Sequence, residues 1–490
     1  MIELQTAPPP KAKQVVSAMT KYRWTICTLL FFSTTINYLD RQVLSLTWKK
    51  YLIPEFHWTD SDYGTITALF SIFYAVSMLL AGRFVDWMDT KKGFLWAISI
   101  WSAGACIHAL CGIATSGILT GHWMVSFEGA KEALAGFDKA AVITSTSVSL
   151  FIFARVVLAL GEAGNFPAAI KATAEYFPKK DRAFATSLFN AGATVGALLA
   201  PLTIPYIADA WGWEMAFVVI GALGFVWMAF WTFLYKKPDL HPRVSKAELA
   251  YIQQDNARPG TIAQAAAPPR RMSFGECFRY RQTWAFAFGK FMTDGVWWFY
   301  LFWTPAYLAD IYGMTGTKSS LPLFVLYAIT LLSIIGGWLP TYFVNKLGMN
   351  PYEGRMKAML IFAFFPLLAL LAQPLGGYSA WFPVVIIGVA GAAHQSWSAN
   401  IFSTVGDMFP KSAVATVTGI GGMAGGIGSF LINKGSGVLF THADNTGMSF
   451  LGFHGKEAGY FIIFSICAVA YLIGWIVMKS LVPKYQPIGE

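Results

Sequence analysis

Charge is what this sequence has least of. Asp, Glu, Lys and Arg make up 13% of its 490 residues, about half of the roughly 25% carried by a typical water-exposed domain. With 56% hydrophobic residues and a mean hydropathy of +0.50, that shortage excludes an ordinary soluble protein and makes lipid the solvent for much of the surface. Cysteine is scarce too. Cys27, Cys106, Cys111, Cys277 and Cys467 show no metal-ligand spacing, so they are read as reduced and structural, with no metal site. Residues 1–14 are polar and Pro-rich without an apolar core, so no cleaved signal peptide is read there. Also missing are a nucleophile elbow and a phosphate loop, which argues against an enzyme, including a membrane-embedded transferase, and no cofactor is expected. The net charge of +10 is read by side of a membrane rather than as nucleic-acid binding.

Long apolar runs are abundant. About 20 such residues cross a bilayer, and twelve stretches qualify: 24–46, 63–81, 94–113, 148–168, 183–207, 216–235, 284–308, 321–344, 358–375, 381–402, 413–432 and 458–478. An even number puts both termini on one side. Of the 36 Lys and Arg, 26 fall in the termini and the loops on their side, 7 in the opposite loops and 3 within spans. The excess predicts cytoplasmic termini in an inner membrane. The resulting organisation is a tail (1–21), six spans (22–237), a polar linker (238–282) with a short helix near 245–254, six more spans (283–480) and a tail (481–490). The polar stretch 114–146 is expected to be an enlarged extracytoplasmic loop.

The halves repeat. Phe177-Pro178-Lys179, Ala183, Thr186 and Gly196 recur as Phe409-Pro410-Lys411, Ala415, Thr418 and Gly428, all at one offset. Two related six-span halves form a transporter architecture, with a site between them near the bilayer midplane. Gly192 and Gly196, and the glycines from Gly419 to Gly428, let helices approach closely.

Six ionisable residues lie within spans: Asp40, Arg41, Arg155, Glu162, Lys290 and Asp294. A charge at mid-bilayer costs about 2.5–3.5 kcal/mol on insertion scales, so each must face a partner or water. Arg41 is the candidate for an anionic substrate, because a guanidinium offers a fork of donors to a carboxylate. Asp40 and Glu162 are candidates for proton exchange, with Arg155 pairing an acid in the proton-free state. Lys290 and Asp294 are four apart and can pair on one helix face. In the tenth span, Gln395, Ser396, Ser398 and Asn400 can bond sugar hydroxyls or neighbouring helices, and Trp397 can cover an apolar sugar face. His394 in that span and Asn190 in the fifth carry weaker signals. Tyr38 and Tyr74 are expected at the cavity, Tyr74 equally as core packing.

Several segments resemble a known family. The stretch from Gly82 through Asp86 to Lys91-Lys92 is similar to the loop signature between spans two and three of the major facilitator superfamily, where it controls closure of the inner face. The usual Gly before the basic pair is replaced by Asp89-Thr90. Asn37-Tyr38-Leu39-Asp40-Arg41, Gly161 to Pro167, Trp297-Trp298-Phe299-Tyr300 and Ala393 to Asn400 resemble the anion:cation symporter family, in its branch for hexuronates, aldonates and aldarates. The resemblance implies an all-α membrane protein of twelve helices in two halves. It implies proton-coupled import by alternating access, with Tyr38 and Arg41 on the substrate and Asp40, Arg155 and Glu162 at the proton. Ala193 stands where some relatives carry a polar substrate contact. The expected partners are a small anionic sugar acid, most simply a hexuronate such as glucuronate or galacturonate, and a proton. The protein is expected to be monomeric. An aldonate or aldarate substrate, sodium coupling, or a sensor that binds without transport are the alternatives.

Overall fold

The computed structural model describes residues 19–123, 125–254 and 272–488. The start of the N-terminal tail and the linker's Ala/Pro tract with Arg270-Arg271 lie outside the described residues.

Among the described residues, twelve long helical spans are present. In the first half they are α1 (Tyr22–Thr47), α2 (Asp60–Met88), α3 (Thr90–Thr120), α4 (Ala140–Glu162, resuming as Asn165–Tyr176), α5 (Lys179–Trp211) and α6 (Trp213–Leu234). The second half holds α7 (Arg281–Tyr312), α8 (Gly316–Leu347), α9 (Pro351–Gly376), α10 (Trp381–Met408), α11 (Lys411–Thr446) and α12 (Lys456–Leu481). Among the described residues, eight of these spans contain a stretch apolar enough to be recognised by composition, and none is found in α1, α7, α10 and α11. Those four carry Asp40 and Arg41, Lys290 and Asp294, the His394–Asn400 polar run, and the glycine series. Side chains that weaken a helix as a lipid-facing element are the ones expected around a wet interior.

Local chemistry sets the helix ends. Thr59 accepts from the Asp62 backbone N–H while the Asp62 carboxylate accepts from the Thr59 backbone N–H, a capping box that starts α2. The repeated Phe-Pro corner has one geometry twice. Phe177 and Phe409 are extended, at φ −125° and −110°, and Pro178 and Pro410 open the next helices at φ −63° and −61°. Much of the stretch expected as an enlarged loop is helical: α3 runs on to Thr120, a separate helix covers Phe127–Ala135, and α4 begins at Ala140. In the linker, Ser245 caps the helix Lys246–Ile252, and Glu248 there is buried against Thr20, Tyr22 and Arg23. All five cysteines are free thiols.

The halves meet along α2 and α11, which run antiparallel. Small residues set the spacing. A Cβ on Gly437 would come within 2.5 Å of the Asp60 carbonyl, and one on Gly64 within 2.8 Å of the Asn433 carbonyl. Gly426 packs on Ala75, and Gly419 on Leu79. The other face of α11 turns Gly421, Gly425 and Gly428 to Phe286, Asp294 and Phe291 of α7. One glycine-rich helix therefore serves two close interfaces.

Among the described residues, the ion pairs joining the halves lie at the end remote from the termini. Lys49 Nζ is 2.8 Å from Asp310, and Lys456 Nζ is 2.7 Å from Asp60. Lys49 also reaches Asp60 at 2.6 Å. Beneath this clasp, Trp48 stacks on Tyr63 at 4.0 Å with Trp303 edge-on to both, and Tyr63 donates to the Phe302 carbonyl. That mouth is closed by rings below and charges above. Lys434, which hydropathy left to a loop, lies inside α11 and donates to Thr65 at 2.6 Å.

Candidate functional site

Arg41 is the centre of the buried polar cluster. Its helix position turns it towards α4, where its Nε and Nη2 both donate to Oε2 of Glu162, at 3.0 and 2.7 Å. Four rings surround the guanidinium: Tyr74 at 4.7 Å, Trp298 at 4.9 Å, Tyr38 at 5.1 Å and Phe70 at 5.9 Å from Cζ. Trp298 is the contribution of the second half. Phe70 also packs against Arg155, whose Cζ lies 5.2 Å from its ring.

Asp40, on the neighbouring face of α1, is buried, and neither carboxylate oxygen has a hydrogen-bond partner. Arg155 is buried with Nε and Nη1 unpartnered, and its charge acts on both Asp40 and Glu162. Among the described residues, the arginine hydrogen-bonded to Glu162 is Arg41, where the sequence reading expected Arg155 to pair with an acid. Just beyond Glu162 the helix breaks at Ala163–Gly164, and Asn165 there leaves its Oδ1 unpartnered. Asn37 is buried without a partner for its amide. Unsatisfied buried polar atoms are costly unless water or a ligand meets them, and Asn37, Asp40, Arg155, Glu162 and Asn165 each carry one or more among the described residues.

The second half supplies Lys290 and Asp294, paired at 2.7 Å as their four-residue spacing predicts, with Lys290 over the Phe402 ring at 4.2 Å. Gly425 leaves the room that the Asp294 carboxylate occupies. On α10, Gln395 is half-buried. Trp397 and Asn400 are engaged elsewhere in this state: Trp397 is fully buried, edge-on to Tyr471 at 5.5 Å, and Asn400 donates to the Gly336 and Ser396 carbonyls at 2.8 Å, tying α10 to α8. His394 bonds Tyr471 at 2.7 Å and stacks flat on Trp297.

At the α2–α3 corner, Gly82 has open space around it, Lys91 donates to the Thr232 carbonyl, and Lys92 is exposed. The Asp86 side chain lies outside the described residues. Asp89 carries φ 68°, ψ 151°, a conformation natural to the glycine it replaces. A cavity of about 250 Å³ between α7, α11 and α12 is lined by apolar residues such as Phe291, Leu431 and Ile463, and contributes no chemistry.

Sequence reasoning missed Lys49, Asp60, Asp310 and Lys456. Each stands at the end of a span, where a charge is unremarkable until the fold brings the four together.

The description "Major Facilitator Superfamily" matches residues 30–432. The chain is 27% identical to a hexuronate transporter of Escherichia coli (strain K12), over 94% of each chain. It is 26% identical to the probable galactarate/D-glucarate transporter GarP of the same organism, over 88% of this chain and 91% of that one. With a galacturonate transporter of Dickeya chrysanthemi it shares 27% identity over 68% and 86%. Among solved structures it resembles a bacterial homolog of the human lysosomal transporter Spinster, inward-facing and unoccupied, with a TM-score of 0.69 at 18% identity over 96% of this chain and all of that one. A D-xylose-proton symporter superposes with a TM-score of 0.61 at 15% identity, over 95% and 98%. The hexuronate, galactarate/D-glucarate and galacturonate transporters fall in the branch that the motifs resemble, and they are transporters rather than enzymes. The chain belongs to the major facilitator superfamily.

Proposed function

We propose that this transporter imports a monoanionic sugar acid, a hexuronate such as glucuronate or galacturonate, together with a proton. The observation that carries the reading is the Arg41–Glu162 bond. Arg41 is the cation best placed to hold a substrate carboxylate, and Glu162 occupies it. Glu162 and the substrate therefore compete for one fork of donors. Protonating Glu162 removes its charge and releases Arg41, so substrate and proton enter together; losing the proton returns Glu162 to Arg41 and expels the anion. Asp40, in the field of Arg155, is the second proton carrier. Tyr38 and Tyr74 flank Arg41, and Gln395, half-buried on α10, is the proposed partner of a sugar hydroxyl. The names of the relatives support the substrate class.

The remote mouth is closed by the Lys49–Asp60–Asp310–Lys456 clasp; with both termini cytoplasmic in an inner membrane, as the Lys and Arg distribution expects, this state reads as inward-facing. Transport then alternates by rocking the halves on the α2–α11 glycine contacts. The Lys290–Asp294 pair favours one second reading: a second cation near the site suits a dicarboxylic sugar acid. Thermal-shift titration with glucuronate, galacturonate, gluconate and glucarate tests the substrate, because a ligand of the folded state raises its melting temperature. Stabilisation by none of them sinks the reading.

A further inference from the structure

Arg41 belongs to the first half, yet one wall of its box belongs to the second. Trp298 lies 4.9 Å from the guanidinium carbon and 5.8 Å from the rings of both Tyr74 and Phe70. Trp397 and Trp303 of the second half are fully buried, whereas Trp298 is half-buried.

We propose that Trp298 is the specificity-determining residue of this site and selects closed-ring sugar acids over open-chain ones. This rests on the sugar-acid reading above and adds the form of the sugar and the residue that reads it. A carboxylate held by Arg41 carries the carbon attached to it among the rings of the box, and Trp298 is the indole among them. In a pyranose uronate that carbon is part of a rigid ring, whose C–H face is flat and apolar and matches an indole. An aldonate or aldarate carries its carboxylate on a flexible chain. It presents no such face, and it loses internal rotations on binding. The indole therefore rewards the ring form alone. Because Trp298 sits on α7 and Arg41 on α1, the same contact lets the second half sense that Arg41 is occupied.

The test uses the full-length purified transporter as wild type, Trp298→Phe and Trp298→Leu, each titrated calorimetrically with D-glucuronate and D-gluconate. The quantity read is the ratio of the two affinities on the same variant, which cancels any loss of folded protein. The proposal predicts that Trp298→Leu weakens glucuronate about tenfold, the size of a lost aromatic contact, while gluconate changes far less, with Trp298→Phe between. An unchanged ratio across the three proteins overturns this role for Trp298 while leaving the sugar-acid reading standing. If wild type binds neither compound, the sugar-acid reading falls and this inference with it.

Discussion

Two nitrogens of Arg41 end on one oxygen of Glu162. Nε and Nη2 meet Oε2 at 3.0 and 2.7 Å, and Oε1 is left buried without a partner. A carboxylate bound through one oxygen has not used the full fork that a guanidinium offers. A substrate carboxylate that takes both donors side by side competes well, and more so once Glu162 is neutral.

The first prediction concerns this pair. Arg41→Ala abolishes sugar-acid binding, and Arg41→Lys restores little of it, because an ammonium is a point charge without the fork. Glu162→Gln keeps Arg41 free at every pH. It binds substrate with an affinity that varies less with pH than that of wild type and retains counterflow, but it fails to accumulate substrate against a gradient. Calorimetry across pH and vesicle uptake check both halves of the statement.

The clasp yields a second. Lys456 meets Asp60 across the halves, with Asp310 at 3.5 Å, and its side chain is one-fifth exposed. Without Lys456, Asp60 and Asp310 are left to share Lys49 alone. Lys456→Ala weakens the closed mouth and shifts the population towards its opening. A cysteine at Thr67, buried below the Trp48–Tyr63 stack, then reacts faster with a membrane-impermeant thiol reagent. Equal labelling with and without the substitution contradicts the clasp.

Asp89 gives a stability prediction. Its backbone, at φ 68° and ψ 151°, lies in a region that costs a non-glycine residue about 1–3 kcal/mol. Its ion pair with Lys237, at 3.2 Å between two half-exposed side chains, returns at most about 1 kcal/mol. Asp89→Gly raises thermal stability and Asp89→Ala does not, as differential scanning fluorimetry would show.

Outside the spans, Glu55 sets a pH dependence. Burial, opposed by the Trp213 indole N–H at 2.7 Å and by Lys131, raises its carboxyl to about 7, with Glu214 and Glu128 adding repulsion. The folded state therefore holds this proton where the unfolded chain has released it. Its contribution to stability is full below the unfolded value near 4.5 and is lost as pH rises through 7. The melting temperature falls over that window, and Glu55→Gln flattens the fall.

The legible part of the fold was the part written locally. Apolar runs marked the spans, and the Phe-Pro corners marked the repeat. Where hydropathy misjudged an end, as in α11, polar residues face another helix rather than water: Asn433 meets the Trp303 indole and Lys434 meets Thr65. The site residues were legible because charge in a span is expensive, but their pairing was not. Arg41 and Glu162 stand 121 residues apart, and no spacing says which of two arginines a helix rotation will deliver. Trp298 showed itself only within a motif, since an aromatic in a lipid-rich sequence carries no signal until the cation it covers is in place.

The central claim is that substrate and proton share Arg41 through Glu162. Proteoliposomes holding the purified protein, given labelled glucuronate and an inward proton gradient, test it most directly. The account predicts uphill accumulation that collapses when a protonophore removes the gradient and that is absent in Glu162→Gln. Accumulation by that variant equal to wild type would contradict it.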